Sequence, residues 1–183
     1  MVADEPIVVV PYDTRWPEEF QRIAGRLRSL LGPVATRIDH VGSTAVPGLA
    51  AKPVIDIQVS VASIEPELAF VGPLETYGLH YQRENPDRTK RFFLGRDGER
   101  RFHVHVRREG SIDEQLNLLF RDYLRVHPAD AQEYAEAKRA LAERFRNDRE
   151  GYVHAKEPTV WSLLQRAHDW SQESGWSPGP SDG

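Results

Sequence analysis

The chain has 183 residues, a formal net charge of −4, 39% hydrophobic and 28% charged residues, and no cysteine. That length supports one domain with a sizeable core, and the acidic balance gives no general drive toward nucleic acid or anionic membranes. Without cysteine there is no disulfide framework, no thiolate metal site and no cysteine nucleophile. The opening MVADEPIVVV lacks the basic flank and long apolar run of a signal peptide. No window reaches the length of a membrane span, so the expected compartment is the cytoplasm.

In chain order, residues 1–6 read as a flexible end. Ile7 to Val10 is a short strand or extended arm, turned by Pro11-Tyr12-Asp13. Phe20, Ile23, Ala24, Leu27, Leu30 and Leu31 recur at helical spacing and predict an amphipathic helix that Gly32-Pro33 ends. Trp16 at its start reads as core or staple. Ala35–Val41 and Val54–Val61 are predicted strands. Ser63 to about Tyr77 is a predicted helix stopped by Gly78. Leu79–Arg83 is a short strand candidate, and Lys90–Leu94 and Arg101–Val106 form a hairpin around Arg96-Asp97-Gly98. The last third is helical. One face carries Ile112, Leu116, Leu119, Phe120, Tyr123 and Leu124, and His127-Pro128 breaks that helix. A second stripe runs from Ala131 to Phe145. A final helix with Pro158 in its first turn is expected to bury Trp161, Leu164, Ala167 and Trp170. The Ser-, Gly- and Pro-rich segment 171–183 reads as a disordered tail.

Arg37 to Val59, RIDHVGSTAVPGLAAKPVIDIQV, carries the chemistry. Gly42 lets a backbone approach a ligand closely. Ser43 or Thr44 can cap a short helix whose free N–H groups face an anion. Asp56 sits inside an apolar strand, where a carboxylate needs a partner, and could hold a divalent ion against phosphates bound at the turn. In Phe102-His103-Val104-His105-Val106 the two histidines share one strand face. With Asp56 they are a plausible set of ligands for zinc, manganese or iron, and His40 is a candidate fourth ligand or phosphate contact. Positions 83–108 hold nine Lys or Arg against four acids, which suggests a local anion site. Lys138 lies inside an apolar stripe, either snorkelling to water or turned toward a ligand. Tyr152 and Lys156 form a similar pair four apart.

HVGSTAVPGLAAKPVIDI, with FRDYLRVHP, YAEAKRALA and YVHAKEP downstream, resembles the signature of the GrpB-like family of the nucleotidyltransferase-fold superfamily, over about Val8 to Trp170. The resemblance implies a single α/β (α+β) domain over residues 7–170, with a small mixed sheet flanked by helices and a helical C-terminal region. It implies a nucleotide or phosphorylated small molecule as partner and a divalent metal, magnesium or manganese with zinc as an alternative; a nucleic-acid role ranks low on the residues themselves, because the basic segment is short and lacks the interleaved exposed aromatics of single-strand binders. It marks Asp56, His103 and His105 as catalytic candidates. Gly42, Ser43, Thr44, Arg91, Lys138 and Lys156 become candidates for holding phosphate. The second acidic position of the superfamily pair falls on Gln58, and the later acidic strand carries histidines instead. Nucleotidyl transfer therefore stands beside two alternatives. One is a non-catalytic module for a nucleotide or coenzyme A-related ligand, because GrpB-like domains also occur fused to dephospho-CoA kinase. The other is a metal-dependent phosphoester hydrolase using Asp56 and the two histidines.

Overall fold

The structure is a computed structural model that describes residues 6–98 and 100–183. The expected flexible N-terminus lies outside them apart from Pro6. Strands β1 (Ala35–Val41), β2 (Val54–Val61), β3 (His80–Tyr81), β4 (Lys90–Asp97) and β5 (Arg100–Arg108) form one sheet in the order β1-β2-β5-β4-β3. β2 and β5 run parallel and the other neighbours antiparallel.

Alternation along the strands separates an apolar face from a chemical one. Ile55, Ile57, Val59, Phe102, Val104 and Val106 are buried on one side. There α1 (Trp16–Leu31) packs Trp16, Phe20, Ile23 and Leu27, and α2 (Leu68–Thr76) adds Phe70 and Leu74. Removing such side chains from water, at roughly 25 cal/mol per Å², supplies the main driving force. The other face presents Asp56, Gln58, Ser60, His103 and His105. It meets a layer of α3 (Ile112–Val126), α4 (Pro128–Arg144) and α5 (Arg149–Ser174). Val46, Leu49 and Ala50 from the β1–β2 connector pack into a second core with Leu119, Tyr134 and Leu163 of these helices.

Several expectations shift. α5 begins at Arg149, where the Asp148 side chain accepts a hydrogen bond from the Gly151 N–H (2.8 Å), so the helix starts before Pro158. Its buried stripe runs through Tyr152, Leu163, Ala167 and Ser171, which leaves Trp161 61% exposed. Ile112, at the first turn of α3, is also exposed. α2 starts at Leu68, not near Ser63.

The tail departs most from the disorder its composition suggests. α5 runs to Ser174, Gly175 closes it in the left-handed conformation, and the Trp176 indole N–H donates to Asp122. Residues 179–183 then lie along the outer edge of β1. The Ile38 N–H donates to Ser181 Oγ (2.9 Å), the His40 N–H to Asp182 (3.0 Å), and the Gly183 N–H to the Ile38 carbonyl (3.0 Å). Buried Arg121 donates to the Asp182 carboxylate at 2.7 Å. Composition misses this because the edge strand, not the tail, supplies the unpaired groups. Among the described residues no helix is long and apolar enough to cross a membrane.

Candidate functional site

The register sets the centre. Asp56 on β2 lies beside His103 on β5, and His105 is two residues further along on the same face. The Asp56 Oδ1 atom is 3.1 Å from His103 Nδ1 and 3.4 Å from His105 Nε2. The three ligand atoms lie within 4.8 Å of one another, close enough to converge on one ion. Burial alone would raise the Asp56 pKa, but its hydrogen bonds to the two histidines outweigh that and hold it well below the carboxylate range. Burial lowers the His105 pKa, against the attraction of Asp56. An ionised carboxylate beside a neutral imidazole is the protonation state a metal requires. Two imidazole nitrogens and one oxygen suit zinc or manganese better than magnesium, which favours oxygen ligands. Phe92 on β4 stacks on His105, with ring centroids 4.9 Å apart, and closes the site on that side.

The β1–β2 connector forms the adjoining wall. Gly42 has φ 71°, and a Cβ there would stand 2.8 Å from Asp56 Oδ2. Gly42→Ala is expected to cost about 1–2 kcal/mol and to push the Asp56 carboxylate off its histidines. A denaturant melt combined with a metal titration checks both effects. Ser43–Ala45 is a single 3-10 turn with no side-chain cap, so the expected capping by Ser43 or Thr44 is absent. Instead Ser43 Oγ accepts from Lys138 Nζ at 2.8 Å, and Lys138 also donates to the Ala50 carbonyl at 2.5 Å. Lys138 is 3% exposed, so it does not snorkel. Burial, and then the charges of Lys156, Arg139 and Lys52, bring its pKa down to about 7. Lys52 is brought to about 8 by burial and the charges of Arg149 and Lys156. Lys52 and Lys156 sit over one ring, 5.4 and 5.9 Å from the Tyr152 centroid. Among the described residues none of these three ammonium groups has a carboxylate partner.

Other candidates lie elsewhere. His40 points to the apolar face, where its ring stacks on Phe20 (4.8 Å, 4°) and its Nε2 is 3.0 Å from Thr44 Oγ1. β1 alternation puts it away from Asp56, so it is no fourth ligand. Thr44 is buried and donates to the Val54 carbonyl, which makes it structural. Arg91 does pair with carboxylates, at 3.0 Å to Glu67 and 2.5 Å to Glu65, but these lie beside α2 on the apolar side of β4. Burial pushes the His40 pKa down to about 3, so between about 3 and 6.5 the unfolded chain binds the extra proton and stability falls with acidification. His40→Phe is expected to flatten that acid limb while leaving metal titrations unchanged, which pH-dependent melts would show.

Gln58 is accounted for. Its Oε1 accepts from Asn117 (2.8 Å) and its Nε2 donates to the Glu114 carbonyl (3.2 Å), so the second acidic position of the superfamily pair serves to fasten α3. Glu114 is itself buried and accepts from Ser60 Oγ (2.5 Å) and the Gly110 N–H (2.8 Å). Sequence reasoning passed over Lys52, Lys90 and Phe92. Counting in twos back across the β4–β5 hairpin from His105 would have placed Lys90 and Phe92 on the site face.

A carboxylate on a central strand, a Gly-Ser turn beside it and a helical layer closing the cleft define a nucleotidyltransferase-like fold, with one group of three candidate ligands among the described residues. Cid1 bound to its short product ApU shares that fold, with a TM-score of 0.52 and 16% identity over 74% of this chain and 43% of that one. The chain belongs to the GrpB family, whose description, GrpB protein, matches residues 6–166. The conserved protein GrpB of Enterococcus faecalis superposes with a TM-score of 0.82, at 30% identity over 90% of this chain and 99% of that one. A UPF0157 protein of Pseudomonas aeruginosa is 44% identical over 90% of this chain and 69% of its own. A dephospho-CoA kinase of Mycolicibacterium paratuberculosis is 37% identical over 97% of this chain, which spans 50% of that protein's length.

Proposed function

We propose that the protein binds a nucleotide through its phosphates, with one divalent ion at Asp56, His103 and His105, and transfers a nucleotidyl group. The observation that carries this reading is the adjacency of that triad to a Gly42–Ser43 turn backed by buried Lys138. Ser43 and the ammonium groups of Lys52, Lys138 and Lys156 receive the phosphate chain, which supplies the counter-charge the buried lysines lack. Phe92 shields one flank from water. A divalent ion, when bound, neutralises charge on phosphoryl oxygens and orients them.

A second reading is a binding module without chemistry. Gln58 favours it, because an amide committed to α3 cannot bridge a second ion. The dephospho-CoA kinase relatives make a coenzyme A precursor a reasonable ligand under either reading. A thermal-shift screen of nucleotides and coenzyme A precursors with Mg²⁺, Mn²⁺ and Zn²⁺ tests the proposal, followed by turnover assays on whatever binds. A metal-dependent shift with product release supports transfer. A shift without turnover selects the module, and no nucleotide shift under any metal defeats both. If Zn²⁺ alone stabilises the protein, phosphoester hydrolysis at the histidines takes precedence.

A further inference from the structure

A second concavity adjoins the triad across β5, toward the β3 edge of the sheet. A cavity of about 450 Å³ is lined by Tyr81, Gln82, Arg83, Glu84, Asn85 and Phe92, all from β3, β4 and the connection between them. That volume is in the range of small-ligand sites. Phe92 belongs to both places. It stands opposite His105 on β5 with ring centroids 4.9 Å apart, and it also lines the cavity. The ladder continues one residue past β3, because the Gln82 N–H donates to the Phe92 carbonyl at 2.8 Å. Gln82 therefore shares the site face with Phe92 and His105. From Asp56 on β2 to Phe92 on β4 is two strand spacings, roughly 10 Å.

The polar groups of this cavity suit an uncharged planar ring. Asn85 Oδ1 accepts from the Asp87 N–H at 2.9 Å, which orients the amide and leaves its N–H groups without a partner among the described residues. Gln82 Nε2 donates to the His80 carbonyl at 3.2 Å, which leaves its Oε1 as an acceptor in the same position. Arg83 is engaged, stacked over Tyr81 at 4.6 Å and paired with Glu75 at 3.0 Å. Glu84 has no ion pair or hydrogen bond among the described residues, so its charge disfavours a phosphate here. Lys90 Nζ is 5.3 Å from the Phe92 centroid, but Asp87 holds it at 3.3 Å and it does not line the cavity. One open donor, one open acceptor and an aromatic surface match the edge and the face of a nucleobase.

We propose that this cavity is a nucleobase site, in which a purine stacks on the part of Phe92 that His105 leaves open and meets Asn85 and Gln82 with its edge. The base site stands by itself, and only its link to Asp56 rests on the nucleotide reading above. Stacked area grows with ring size, which favours a purine over a pyrimidine. The base belongs either to the nucleotide whose phosphates meet Ser43 and Lys138 or to a second nucleoside held beside it.

The test follows the side-chain amide resonances of Gln82 and Asn85 in ¹⁵N-labelled protein during titration with adenosine, with ribose as the sugar that lacks a base. Adenosine carries no phosphate, so the cavity is tested apart from the lysines and the triad. The expected result is saturable movement of both resonances with adenosine and none with ribose. Phe92→Leu is expected to weaken adenosine binding by tenfold or more, the worth of one base stack. Asn85→Asp keeps the oxygen that accepts from Asp87 and removes the donor, and is expected to weaken binding about fivefold, the worth of one hydrogen bond. Asp56→Asn and Lys138→Met are expected to bind adenosine like wild type while losing affinity for adenosine triphosphate, so the cavity and the nucleotide reading fail separately. Unmoved amide signals, an equal response to ribose, or wild-type affinity in both Phe92→Leu and Asn85→Asp would overturn the site. Uridine binding as tightly as adenosine would overturn the purine assignment. Adenosine triphosphate with Mn²⁺ identifies the source of the base. If it excludes adenosine, the base is the bound nucleotide's own, and if adenosine still binds the loaded protein, the cavity holds a second nucleoside.

Discussion

Replacing Asp56 by asparagine is expected to abolish the stabilisation that Mn²⁺ or Zn²⁺ gives the wild-type protein. The substitution keeps the shape of the side chain and removes the one anionic ligand atom on which His103 and His105 converge. A ligand that binds only the folded state at about 100 times its Kd adds about 2.7 kcal/mol, or roughly 5–10 °C in Tm for a chain of this length. Asp56→Asn removes that increment. His103→Ala is expected to remove it as well, whereas the His40 variant keeps it. Differential scanning fluorimetry with and without each metal makes the comparison, and an Asp56→Asn protein that still responds would move the ion elsewhere.

Lys138→Met has the second largest expected effect, and its two readouts move in opposite directions. Nucleotide affinity falls by tenfold or more, because the ammonium group on Ser43 is lost. Stability near neutral pH does not fall and can rise, since a buried cation without a counter-charge is replaced by an apolar chain of similar length. The pH dependence identifies the cause. The native pKa of about 7 lies below the ordinary lysine value of 10.5. Between them the unfolded chain binds more protons, so wild-type stability climbs as pH rises from about 7 toward 10. The variant is expected to lose that climb. Binding of a phosphate ligand restores the charge, so calorimetry at pH 8 in buffers of different ionisation enthalpy should show proton uptake in wild type and none in Lys138→Met. Equal uptake in both would mean that the phosphates do not meet this lysine.

The strands and the α1 helix were legible because their periodicities are strong and uninterrupted: Phe20 to Leu31 at helical spacing, and the alternation around His103 and His105. The triad was legible because two histidines two apart and one carboxylate in an apolar run admit few geometries. Arg91 misled because its face depends on hairpin register, which fixes Phe92, not Arg91, beside His105. His40 misled because nearness in sequence to Gly42 says nothing about which side of β1 it occupies. Lys52 gave no periodic signal, lying in a connector whose path is set by packing of Val46, Leu49 and Ala50 against the helices. Pro158 looked like a helix start because an N-cap ten residues earlier, at Asp148, is a weaker sequence mark than a proline.

The tail along β1 bears on how this sheet behaves in a crowded solution. An open sheet has two edges, and each is a template on which another chain's strand can grow. Here one edge, β3, is two residues long and offers little to copy. The other, β1, is seven residues long; its Ile38 N–H and carbonyl and its His40 N–H are already taken by Ser181, Asp182 and Gly183, and its His40 carbonyl accepts from Arg121. Protection against edge-to-edge aggregation is thus carried by a short polar segment, and a variant lacking it would present β1 bare to its neighbours.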